Sequence, residues 1–228
     1  LTDHRDLIVS DQLNHASIID GCRLSRSKVI VYPHLDVNAA EEILRNGNYR
    51  RRILITESVF SMDGDFAPLR ELQDICQRYG AFMMVDEAHA SGVLGPQGKG
   101  LASELGVTPE IQMGTLGKAL GVAGAYVAGS RPLVDLLVNK ARSFIYTTAQ
   151  PPAVLCAARE AVKIVASDEG DRLRRRLQEN VSLFNRLISP LTGNNSSHSH
   201  IAPIPVGDSR KTMEISRACL AKGIFVQG

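Results

Sequence analysis

The sequence predicts an α/β protein: a mostly parallel sheet flanked by helices, followed by the start of a smaller α+β domain. Three observations carry that reading. Short runs rich in apolar and β-branched residues alternate with stretches of helical periodicity from residue 6 to residue 129. Several of these runs are unbroken apolar stretches, as strands covered on both faces are. From Pro151 onward the pattern changes to long helices and then to short strand-like runs around one more helix.

Each element has its own signal. Asp6 to Ser10 reads as a strand, and Ile18 to Arg26 carries apolar residues at helical spacing. Val29 to Tyr32 is a strand and Val37 to Asn46 a helix. Arg52 to Thr56 is a buried strand after three arginines. Ala67 to Tyr79 follows as a helix with Pro68 in its first turn and Gly80 at its end. Ala81 to Val85 is the next buried strand, and Ile111 to Gly114 and Gly124 to Gly129 complete the set. Ala153 to Ala166 and Arg172 to Ile188 read as long helices, with Arg174, Arg175 and Arg176 on a solvated face. Residues 193–200 are polar and loop-like. Ile201 to Val206 and Gly223 to Val226 read as strands flanking a helix at Lys211 to Lys222. The expected organisation is a large α/β domain over 1–150, connecting helices over 151–190, and the opening of a small α+β domain over 191–228.

Composition excludes several classes. Of the 228 residues, 44% are hydrophobic and 22% charged, as in an ordinary folded domain. The net charge of +2 leaves no electrostatic footprint for nucleic acid or an anionic membrane. No apolar stretch is long enough to span a bilayer. The cysteines at 22, 76, 156 and 219 have neither zinc-site nor redox spacing, and fit a reducing, cytoplasmic setting. His198 and His200 lack a third ligand and read as loop residues, so no metal is expected.

Ligands of open α/β sheets sit beyond the carboxyl ends of the strands, and polar groups gather at such positions. Asp86 directly follows a buried apolar run, where a carboxylate is costly without a cation or donors. His89 follows three residues later, so one turn can aim both into a pocket. An aspartate capping that turn beside a satisfied histidine is the plainer reading. Gly114 to Gly121 sets Lys118 among glycines and small residues, but lacks the Walker pattern at Gln112 and Ala119. A lysine buried there gains a nucleophilic amine; a surface loop lysine is the alternative. Ser58 to Asp65 follows another buried strand and is too short for a calcium loop. Asn14 to Ser17 resembles a helix start, with His15 as a cap neighbour or a flat ring for stacking. A strand-end Asp, a Lys in a glycine-rich turn and an upstream His together suit pyridoxal 5'-phosphate. That cofactor needs an amine for a Schiff base, an acid at its ring nitrogen and a ring on its face.

The segments Asn14 to Gly21, Val59 to Asp65, Val85 to His89, Gly114 to Gly121 and Tyr146 to Pro152 resemble, in order and spacing, those of the α-oxoamine synthases. These are fold-type I pyridoxal phosphate transferases, related to class I and II aminotransferases. The resemblance implies a role for each matching position. Lys118 carries the Schiff base and later takes the amino acid's α-proton. Asp86 pairs with the ring nitrogen. His89 and Ser61 bond the phenolic oxygen side, and His15 stacks on the ring and touches substrate. Thr115 contacts the phosphate. Thr148, with Thr147 beside it, reaches the phosphate of a partner subunit in a homodimer. Ala141 to Thr148 and Gly124 to Val127 resemble the branch that condenses L-alanine with a pimeloyl thioester, carried by coenzyme A or acyl carrier protein, in biotin biosynthesis. A sister branch joining glycine to acetyl-CoA is the alternative. The family's N-terminal glycine loop and its substrate-carboxylate arginine have no counterpart here. The chain is therefore expected to be a fragment, and an inactive truncated chain is the third reading.

Overall fold

The computed structural model describes residues 2–192 and 199–228. Six strands form one sheet in the order β2-β1-β3-β4-β5-β6. They are β1 (Leu7–Asp11), β2 (Lys28–Tyr32), β3 (Arg52–Glu57), β4 (Phe82–Asp86), β5 (Ile111–Thr115) and β6 (Ala125–Gly129). The first five pair in parallel. β6 runs antiparallel to β5, with Thr115 opposite Ala125. The link between them is too short for the crossover a parallel pair needs.

Strand alternation explains the layers. Leu7, Val9 and Leu54 point into a core with Leu44, Leu72 and Ile75. Those residues belong to α2 (Val37–Arg45) and α3 (Leu69–Arg78). Ile8, Ile53 and Ile55 point the other way, against Ile18 and Cys22 of α1 (Ala16–Leu24). With a side-chain period of two, both faces need apolar residues, and the strands read as continuous runs for that reason. Helix ends follow local chemistry. Asp36 caps α2 by accepting from the Ala39 amide at 2.9 Å, and Gly80 turns the chain after α3 at φ +61°.

The chain leaves β1 for β2 on one side, then returns to β3 on the other, so adjacent strands send their following loops apart. That switch opens a crevice at the carboxyl edge.

After β4 come a 3-10 turn (Pro96–Gly98) and α4 (Leu101–Leu105); after β6 come α5 (Arg131–Lys140) and α6 (Arg142–Ile145). The sequence reading named none of these. Then follow α7 (Pro152–Val165), α8 (Asp168–Thr192) and α9 (Ser209–Ala221). Two expectations need correction. Residues 201–206 and 223–226 are not strands: among the described residues neither finds a ladder partner, and Ile224 and Phe225 stay exposed. Arg174 is not on a solvated face. Its guanidinium donates to the Val165 carbonyl at 2.9 Å and pairs with Asp171, tying α8 to the end of α7. A helix turns one residue of three inward, so Arg175 and Arg176 do stay exposed. His198 lies outside the described residues. All four cysteines are free thiols, and no described helix is long and apolar enough to cross a membrane.

Candidate functional site

The carboxyl ends of four neighbouring strands each deliver a polar side chain: Asp11 from β1, Glu57 from β3, Asp86 from β4 and Thr115 from β5. Glu57 and Asp86 stand opposite one another in the β3–β4 register. Both are buried. Asp86 accepts a hydrogen bond from the Ala88 amide on Oδ1 at 2.8 Å, and among the described residues no ion pair reaches it. Burial pushes its pKa up, with the Ala88 bond and the Lys118 and His15 charges opposing.

Glu57 is also pushed up, to about 7, first by burial. The His15 amide holds it down by donating to Oε1, and the Asp86 charge pushes it up. Nothing in the residue-level reading singled out Glu57. The signal was present, since Glu57 ends an apolar run just as Asp86 does.

Asn14 locks the crevice. Its side-chain amide donates to the Ile55 carbonyl and Ser10 hydroxyl, both at 2.9 Å, and its Oδ1 accepts from the Glu57 amide. These bonds join the β1 and β3 ends and set the start of α1. His15 is the N-cap of that helix, its Nδ1 accepting from the Ser17 amide at 3.2 Å. The ring itself is exposed. Of the two readings of Asn14 to Ser17, the helix cap is what the structure shows, on a residue whose ring is exposed.

His89 lies half-buried on the turn after β4, with a pKa lowered to about 4. Burial is the main cause, followed by the Lys118, His200 and His15 charges. It is neutral near pH 7 and carries one N–H and one lone pair. Lys118 is exposed in the turn between β5 and β6, which corrects the expectation of a buried amine. Its charge acts on Asp86, Glu57 and His89 at once.

The structure therefore brings together Lys118, Asp86, His89 and His15, and adds Glu57. Thr115 is half-buried beside them. Its hydroxyl donates to the Gly124 carbonyl and accepts from the Gly117 amide, both at 3.2 Å, closing the turn that carries Lys118. Ser61 lies half-buried on the loop after β3 and makes no side-chain hydrogen bond to the other candidates among the described residues. Thr147 and Thr148 are exposed after α6 and make no side-chain hydrogen bond to this cluster among the described residues.

Glu87, next to Asp86, has a different task. It is fully buried and accepts from Ser58 Oγ and from the Leu101 and Ala102 amides at 2.8–3.0 Å, which caps α4. A Cβ on Gly100 would sit 2.6 Å from its carboxylate, and φ there is +101°, so both space and conformation demand glycine.

The cluster suits a flat, protonated nitrogen heterocycle bearing a carbonyl. Asp86 is a buried acid without a cation, Lys118 is an accessible amine, and His15 is an exposed ring at the rim.

A family model of class I and II aminotransferases matches residues 1–228. An 8-amino-7-oxononanoate synthase of Citrifermentans bemidjiense is 50% identical over 232 residues, covering 100% of this chain and 60% of that protein. The crystal structure of 8-amino-7-oxononanoate synthase from Francisella tularensis superposes with a TM-score of 0.83 at 30% identity, covering 100% of this chain and 67% of that one. A serine palmitoyltransferase structure with PLP superposes at 0.93 with 26% identity, covering 99% and 58%. The chain thus spans about 60% of the length of the curated relatives it matches.

Proposed function

Because the chain belongs to the class I and II aminotransferase family, we propose that it forms the pyridoxal 5'-phosphate site of an acyltransferase that makes 8-amino-7-oxononanoate in biotin biosynthesis. In the reaction, L-alanine and a pimeloyl thioester, on coenzyme A or acyl carrier protein, give the amino ketone, CO₂ and the free thiol. The observation that carries the reading is Asp86, buried at the end of β4 without a cation, next to an accessible Lys118. Half-identity to curated 8-amino-7-oxononanoate synthases along the whole chain supports the substrate pair.

When bound, the cofactor supplies a carbonyl for the amine and a protonated ring that withdraws electrons from the α-carbon. The chain's own residues do the rest. Asp86 holds the proton at the ring nitrogen, and that cation in turn relieves the cost of its burial. His15, exposed at the start of α1, would supply the ring that stacks on the cofactor and borders the substrate. Lys118 Nζ accepts the α-proton of alanine and returns one to the product carbon. His89, neutral near pH 7, and Ser61 bond the phenolic oxygen side. Thr115 holds the phosphate, and Thr148 reaches the phosphate of a partner subunit in a homodimer. Residues 1–150 form the cofactor-binding domain, 151–190 the connecting helices and 191–228 the start of a small domain. The setting is the cytoplasm.

The test is thiol release by the complete reading frame with alanine plus pimeloyl-CoA against glycine plus acetyl-CoA. Preference for the first pair is expected. Preference for the second moves the chain to the glycine-using branch, and no release with either overturns the reading.

A further inference from the structure

Asp11, His34 and Asp65 have no part in the chemistry above, yet they form a connected cluster at the same edge of the sheet. His34 Nδ1 lies 2.8 Å from Asp11 Oδ1, and its Nε2 lies 2.8 Å from Asp65 Oδ2. The Phe60 ring stands edge-on to the imidazole at 4.4 Å between centroids. A neutral imidazole has one N–H. Facing a carboxylate oxygen at hydrogen-bond distance from both nitrogens, the ring satisfies both contacts only as an imidazolium. The balance agrees: burial disfavours that cation, and the two aspartate bonds outweigh it, raising the pKa.

The three residues come from three separate segments of the chain. Asp11 ends β1 and also accepts from the Leu13 amide at 2.9 Å and the Leu35 amide at 3.0 Å. The first of these shapes the turn into Asn14 and His15. His34 sits in the loop after β2. Asp65 closes the loop that carries Ser61, where the Phe60 amide donates to the Asp65 carbonyl and the Gly64 amide to the Phe60 carbonyl. The charged groups facing the imidazole are therefore Asp11 from β1 and Asp65 from the loop after β3, with the buried Tyr32 hydroxyl beside Asp11.

We propose that His34 is a positioning residue, an imidazolium clip between Asp11 and Asp65 that fixes the His15 and Ser61 loops against each other. The assignment rests on the reading that His15 and Ser61 serve a pyridoxal phosphate site. His34→Gln is the informative variant, because a neutral amide cannot donate to both carboxylates along the imidazole's line.

The experiment joins three readouts on the complete protein. Nitrogen-15 spectra of the ring near pH 7 are expected to show both nitrogens of His34 protonated. Exchange of the Leu35 and Gly64 amides is expected to rise about tenfold in His34→Gln, the loss of one charge-assisted bond. The dissociation constant for added pyridoxal 5'-phosphate is expected to rise by about the same factor. Leu72→Ala, a core change in α3, serves as the control that lowers stability without touching the clip. A singly protonated ring overturns the proposal, and so does an equal rise in exchange in Leu72→Ala. Should the parent protein bind no pyridoxal phosphate, the functional reading falls, while the ring spectra and amide exchange still decide the clip.

Discussion

The two edges of the sheet use the same residue types in opposite ways. At the amino edge, Asp6 is fully buried and held by Arg50 through two bonds, Nε to Oδ1 at 2.9 Å and Nη2 to Oδ2 at 2.6 Å. That guanidinium holds the Asp6 carboxyl below the usual carboxylate range. Glu110 accepts from the Met83 amide at 2.7 Å on the same edge. At the carboxyl edge, Glu57 and Asp86 are also buried, meet no guanidinium among the described residues, and have pKa values raised above the ordinary range. Paired acids hold strands together. Unpaired acids keep free energy in reserve for a cation that arrives later, and so they mark the site.

That contrast breaks first at Lys118. Lys118→Ala is expected to abolish both the long-wavelength absorption of bound pyridoxal phosphate and thiol release, because no other amine in the cluster replaces it. Asp86→Asn comes next. It is expected to lower turnover by about 10²–10³ while changing cofactor affinity less than about tenfold, read from steady-state kinetics and absorbance titration. Near-normal turnover would remove Asp86 from the chemistry.

At the other edge the loss is in stability instead. Asp6→Ala takes the buried partner from the Arg50 guanidinium, which keeps its bond to Asp3, and is expected to lower the urea midpoint, with the folded fraction still binding cofactor.

Glu57→Gln sharpens the comparison through pH. The folded-state pKa of Glu57 is about 7 against an ordinary 4.5. The native state therefore holds the extra proton, and stability from this group is lost as pH rises between those values. Relative to the parent, Glu57→Gln is expected to gain stability progressively across that interval and to level off above it. His89 runs the other way, losing stability as pH falls from 6.5 toward 4. His89→Asn is therefore expected to gain on the parent toward the acid side. The smallest effect is expected at Arg131, whose exposed pair with Asp135 at 2.8 Å is worth under about 0.5 kcal/mol. Arg131→Ala should leave the urea midpoint nearly unchanged.

Much of this was legible in residue order. Six strands and the helices between the first four follow from apolar runs and period, because both are local properties of a covered sheet. Asp86 was legible for the same reason: a charge at the end of an apolar run needs an explanation. Glu57 carried the same mark and was passed over, since no motif with a histidine or glycine turn stood beside it. The short helices have separate reasons to escape a sequence reading: α4 is fixed by Glu87 from 14 residues away in sequence, α6 is four residues long, and α5 directly follows β6 with the apolar run Leu136 to Val138 inside it.

By itself, the sequence determined the parallel α/β architecture, the strand-end acid and the lysine turn, since period and composition act over a few residues. Only the tertiary structure decided which charges meet. Glu57 faces Asp86 across a register, the charge of exposed Lys118 acts on both, and His34 bridges aspartates from two separate segments. Similarly, 201–206 and 223–226 have strand-like composition but no ladder among the described residues. A strand is completed by a neighbour's hydrogen bonds, and a charge is tuned by groups brought near by folding.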